Sequence, residues 1–205
     1  MAFFFAFICT IAIILYPTNY NILDNHVSNQ GSIEKNPIGH KFWNVGMFVG
    51  GIILVPHALY MYRSFQSGWP TVAKFALLSG ILAAIGYSLV GVFPEEVAIV
   101  HMVVASFAFF GLLANYYLHF LIFWRQFQRI DYKRPKSWRF HALYHLLNFG
   151  FFTTIIMPNA DAVNAYLGWD SRVFEFPLWE WLLLTIMYLW MLGITIVVDP
   201  FEVEK

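Results

Sequence analysis

Charge is scarce in this chain of 205 residues: 12% are Asp, Glu, Lys or Arg, while 60% are hydrophobic and 20% aromatic. A soluble globular domain carries roughly 25% charged residues, so the polar groups here are too few to cover a water-facing surface. A bilayer removes that need. Neither sign prevails, because twelve Lys and Arg balance twelve Asp and Glu, and nucleic acid is therefore not indicated as a partner. Cysteine is almost missing. Cys9 is alone, which excludes an intramolecular disulfide and a cysteine-based zinc site, and it reads as a small apolar filler. Internal repeats, low-complexity tracts, Asn-x-Ser/Thr acceptors and the alternating pattern of barrel strands are also lacking. The first sixteen residues have neither the basic start nor the Ala-x-Ala-like exit of a signal peptide. They read as a retained helix.

Long apolar runs are what the chain does have. Crossing the hydrocarbon core takes roughly 20 apolar residues, and six segments approach or meet this: 2–16, 42–62, 72–93, 98–124, 140–157 and 178–198. Pro17, Pro94, Pro158 and Pro200 stand at or just beyond four of their ends. Backbone groups in lipid must be satisfied within the segment, so these runs are expected to be helices. The expectation is an all-α, polytopic bundle of six transmembrane helices forming a single domain over 1–205. Basic residues give its orientation. Arg63, Lys74, Arg125, Arg129, Lys133, Arg134, Lys136, Arg139 and Lys205 fall on one side, against Lys35, Lys41 and Arg172 on the other. The richer side is cytoplasmic by this rule, which puts the N and C termini there, with the cell membrane as the expected location. Trp43, Trp69, Trp124, Trp138, Trp169 and Trp179 fall at expected helix ends, as an aromatic belt would. The Gly46/Gly50 pair suits close helix packing.

Ionisable groups inside or beside a bilayer usually have a partner or a task, and they fall into two layers. On the expected outer side, Glu95 and Glu96 begin the fourth helix, where carboxylates suit its dipole, and His101 follows within about two turns. Asp24, His26 and Asn29 of the first long loop could descend onto the same spot, and Glu180 lies near the start of the last helix. Such a carboxylate–imidazole set could act in general acid–base chemistry, hold a divalent metal or bind a lipid head. The plainer expectation is that the glutamates cap the helix and His101 bonds a loop carbonyl. On the cytoplasmic side His57, His119 and His145 fall at matched depth, roughly 7–8 Å inside the boundary at 1.5 Å per residue. Histidines so placed would suit haem, a metal or a proton relay, or simply an interface, so the sequence commits to no cofactor.

Two blocks carry a family resemblance. The first is Asn25, Ser28, Asn29, Gln30 and Gly31, then Asn36-Pro37, then Phe42, Asn44, Gly46 and Gly50-Gly51; the second is Gly86, Gly91, Phe93-Pro94-Glu95 and His101. Together they resemble the membrane family catalogued as domain of unknown function 998, with its Asn-x-Ile-Ser-Asp-Leu-Gly loop and Phe-Pro-Glu/Asp turn. The chain departs from that pattern at Asn29, where aspartate is expected, and at Gln30, where leucine is expected. The resemblance implies a six-helix bundle and no particular activity.

Three functions are compatible with these residues. An accessory or structural subunit of a membrane assembly would explain the many aromatics and the lack of a complete catalytic motif, with other membrane subunits as partners. A lipid-binding or lipid-modifying protein would use the outer cluster, with membrane lipids as partners. A redox subunit would use the histidine layer. Whether the chain is an enzyme is left open by the sequence.

Overall fold

The computed structural model describes residues 2–127, 142, 145–146, 148–150, 166 and 176–197. Every regular element among them is helical. The long helices are α1 (Ala2–Ile14), α2 (Gly39–Phe65), α3 (Pro70–Val92), α4 (Ala98–Phe127) and α5 (Phe176–Val197), with a short 3-10 turn at Val27–Gly31. Three of them, α2, α3 and α4, are long and apolar enough to cross a membrane; α1 and the 180–194 part of α5 are apolar but shorter. Of the expected fifth span only residues 142, 145–146 and 148–150 are described, and these are helical. Most of the basic loop after α4 and the expected loop before α5 lie outside the described residues.

Chain chemistry explains the helix ends. Pro70 occupies the first turn of α3, where its missing N–H would have had no partner, and α3 stops at Phe93, the residue before Pro94. The start of α2 is three residues earlier than expected because Asn36 reaches forward: its Oδ1 accepts the Gly39 N–H at 3.0 Å. The start of α4 corrects an expectation. Glu95 and Glu96 do not open this helix, which begins at Ala98; both precede it in a turn closed by Val97 N–H on Pro94 O at 3.0 Å.

Contacts are densest where α3 lies between α2 and α4. Small residues make this possible. A side chain at Gly86 would run into the backbone of Ala108 on α4, and one at Gly51 would meet Ala84 O and Ser88 on α3. Gly46 instead receives Ile8 of α1, so half of the expected glycine pair serves that contact. Polar groups cross-link the helices: Asn115 Nδ2 donates to Ala76 O at 2.6 Å and Ser88 Oγ to Phe48 O at 3.1 Å, while Tyr188 OH joins α5 to α3 by donating to Tyr87 OH at 2.8 Å. Each such bond between membrane helices contributes about 0.6–2 kcal/mol. The connection between α1 and α2, the turn between α3 and α4, and the start of α5 meet at one end of the bundle, called the loop end below.

Candidate functional site at the loop end

The connection of residues 15–38 is folded by its own short polar side chains. Asn21 Oδ1 accepts the Leu23 N–H at 3.0 Å, and Tyr20 OH donates to His26 O at 2.8 Å. Asn36 is fully buried and is the centre of the arrangement. Its Nδ2 donates to Ala12 O at 3.0 Å and Gln30 O at 3.1 Å, so one side chain joins the end of α1, the 3-10 turn and the start of α2.

Three carboxylates then pin this loop. Glu96 Oε1 accepts from Ser32 Oγ at 2.7 Å, from Ile33 N–H at 2.7 Å and from Glu34 N–H at 3.2 Å. Burial opposes its charge, but the bonds from Ser32 and the backbone outweigh it and hold the carboxyl below its ordinary range. Lys35 Nζ bridges Glu95 Oε1 at 2.7 Å and Asn29 Oδ1 at 2.9 Å. On the other side Glu180 Oε2 accepts the Val27 N–H at 3.1 Å and meets His26 Nδ1 at 3.3 Å. That bond to Glu180 raises the His26 pKa, against a smaller opposing effect of burial. Trp181 Nε1 adds a bond to Asn25 O at 3.2 Å.

Beneath the strapped loop lies a cavity of about 660 Å3 between α2, α3, α4 and α5. Its walls are largely apolar, with Trp43, Met47, Val90, Phe109 and Leu183 among them. Met102, Ser106 and Phe110 line it as well and are exposed along α4, at successive turns, so the cavity opens sideways between helices. Three polar residues of the loop end reach it: Ser28, His101 and Glu180. His101 has the loop-carbonyl partner expected for it, with Nδ1 at 2.8 Å from Phe93 O. A carbonyl only accepts, which assigns the proton to Nδ1 and leaves Nε2 of the neutral ring as an acceptor.

The six residues singled out in the outer layer thus divide into four groups. Glu95, Glu96 and Asn29 hold the loop, Glu96 by capping the turn at residues 32–34 and not its own helix. His26 pairs with Glu180, and His101 alone of the six lines the cavity; Asp24 is exposed and accepts from Asn21 Nδ2. Ser32 and Lys35 were missed because nothing in their spacing marks them, whereas Ser28 stood in the first family block without a role assigned to it. Asn36 stood in the Asn-Pro pair, whose value as a signal was positional.

Of the histidine layer, His57 and His119 lie near one another. His119 is buried, its Nδ1 is 2.8 Å from Asn115 O, and its ring stands among Phe65 and Trp190. His57 Nε2 is buried and has no hydrogen-bond partner among the described residues, while His145 is exposed. No three His, Cys, Asp or Glu side chains converge as a metal site among the described residues. Gln30, at the position where the family pattern has leucine, is fully buried; among the described residues its amide atoms make no hydrogen bond of good geometry, and the Tyr20 hydroxyl and the Cys9 thiol are the polar groups that interact with it.

Apolar helices of this length, packed through glycine and cross-linked by buried amides and hydroxyls, define an all-α integral membrane protein. The chain belongs to the family described as Protein of unknown function (DUF998), whose model matches residues 1–197. Neither the curated proteins nor the solved structures contain a match to it.

Proposed function

We propose that this is a multi-pass protein of the cell membrane that binds a lipid, taking an acyl chain into the cavity and holding the polar end beneath the loop. In this reading the whole chain forms one bundle of six spans with cytoplasmic termini, and the loop end faces outward. The observation that carries it is the cavity itself. At roughly 30 Å3 per water-sized group, 660 Å3 has room for on the order of twenty such groups, the bulk of one chain and a small head. Pockets for small molecules share this form, apolar with a few convergent polar groups, and the opening along α4 suits entry from the bilayer. The reading is preferred to that of an accessory subunit because a packing surface requires no hollow.

The protein extracted gently from its own membrane should retain lipid at one molecule per chain in native mass spectrometry. Ala105→Trp, which fills the cavity from α4, should abolish that retention while the protein stays monodisperse. Wild-type protein that carries no small ligand but co-purifies with other subunits would refute the lipid reading and favour an assembly.

A further inference from the structure

Three polar atoms at the closed end of the cavity have unused hydrogen-bonding capacity. Both bonds that the structure assigns to Glu180 fall on Oε2, leaving Oε1 without one among the described residues. His101 commits Nδ1 to Phe93 O, and its Nε2 takes no partner among the described residues. Ser28 makes no side-chain bond among the described residues, and all three residues line the cavity. Oε1 and Nε2 are acceptors, whereas the serine hydroxyl can donate or accept. No lysine or arginine lines the cavity among the described residues, and Lys35, which lies on the same loop, is engaged by Glu95 and Asn29.

This donor-poor rim discriminates between head groups. A carboxylate or phosphate would place a second negative charge beside Glu180 and find only the Ser28 hydroxyl to donate to it, and like charges brought together in a partly desolvated site are strongly unfavourable. An ammonium could donate to all three atoms but leaves the serine proton without an acceptor. A hydroxyl both donates and accepts, so a head with two of them satisfies Oε1, Nε2 and Oγ together. From this, and resting on the reading of the cavity as a lipid site, we infer that the ligand is an uncharged, hydroxyl-headed amphiphile of the monoacylglycerol class. Glu180, His101 and Ser28 select its head.

The test uses the full-length protein in detergent and three amphiphiles with one common hexadecyl-length chain: monopalmitoylglycerol, palmitate and hexadecylamine. Their competition is read by native mass spectrometry. The glycerol head should be retained about tenfold or more over the other two, since one well-placed charged or unmade contact is worth that factor. Glu180→Gln should then raise retention of palmitate about tenfold relative to the glyceride. Equal retention of all three would leave the lipid site standing and overturn the head-group assignment, as would a preference for palmitate or the amine. Retention of none, in wild-type protein that is monodisperse, would overturn the lipid site itself and the assignment with it. The wild-type ranking decides the matter even where Glu180→Gln fails to fold.

Discussion

Replacing Gln30 by leucine should make the protein more stable. The side chain is 0% exposed, and among the described residues its amide nitrogen and oxygen make no hydrogen bond of good geometry, having only weak contacts with the Tyr20 hydroxyl and the Cys9 thiol to offset burial. A buried polar group left unpaired costs about 1–3 kcal/mol, and leucine has nearly the same volume, so the change removes that cost without opening a void. The backbone carbonyl of residue 30, which accepts from Asn36, is untouched. At about 2–4 °C per kcal/mol for a chain of this size, the gain corresponds to a melting temperature raised by roughly 2–10 °C. Thermal unfolding in detergent, followed by loss of monodisperse protein, measures it. Gln30→Ala separates the two contributions, because it removes the amide but leaves a hole, and should fall well below the leucine variant. If Gln30→Leu melts at or below the wild-type temperature, the amide is satisfied by a bound water or ligand, and the argument from its isolation is wrong.

Two further expectations concern the loop and the helices. The bonds made by Glu96 and by His26 respond to opposite ends of the pH scale. Glu96 has a pKa held below the ordinary 4.5, so its contribution is present above that value and is lost as pH falls through the lower, folded value. His26 has a pKa raised above 6.5, so its contribution is complete below 6.5 and is lost as pH rises through the folded value. Proteolysis of residues 17–38 should therefore be slowest between about pH 5 and 6.5, and Glu96→Gln should remove the acid limb; a rate independent of pH would refute both pins. Gly86→Val should destabilise the protein by about 1–3 kcal/mol or more through collision with the Ala108 backbone. Gly68→Ala, where the added atom would meet only Phe65 O at 3.9 Å, should be close to neutral in the same melting assay.

Much of the architecture was legible because lipid imposes simple rules. Run length and proline placed α2, α3 and α4 to within a few residues of their observed ends, and α3 shows why: Pro70 and Pro94 bracket it with chemistry that sequence displays directly. The helix α2 was drawn too short because Asn36 acts on Gly39 across a proline, a side-chain bond that periodicity does not register. At the loop end the right neighbourhood was found and the wrong division of labour. Carboxylates next to a helix start were read as caps for that helix, whereas Glu96 is bound by three donors from a loop more than sixty positions earlier. The cavity was invisible for a related reason. A hollow is set by which side chains fail to meet, and Met102, Ala105, Phe109 and Leu183 carry no mark that separates them from lipid-facing residues.

The anchoring of α1 by Asn36 has a consequence for how the chain is made. Its 13 residues span only about 20 Å at 1.5 Å each, less than the roughly 30 Å of a hydrocarbon core, so hydrophobicity alone fixes its depth loosely. Asn36 emerges from the ribosome two dozen positions after Ala12, whose carbonyl it holds. The clasp can therefore close while the rest of the bundle is still being synthesised. A nascent chain truncated after α2 should already contain the hairpin, and in Asn36→Ala the first helix would be held to α2 only through apolar contacts such as Phe5 on Trp43 and Ile8 on Gly46 until Tyr188 arrives to stack on Phe5.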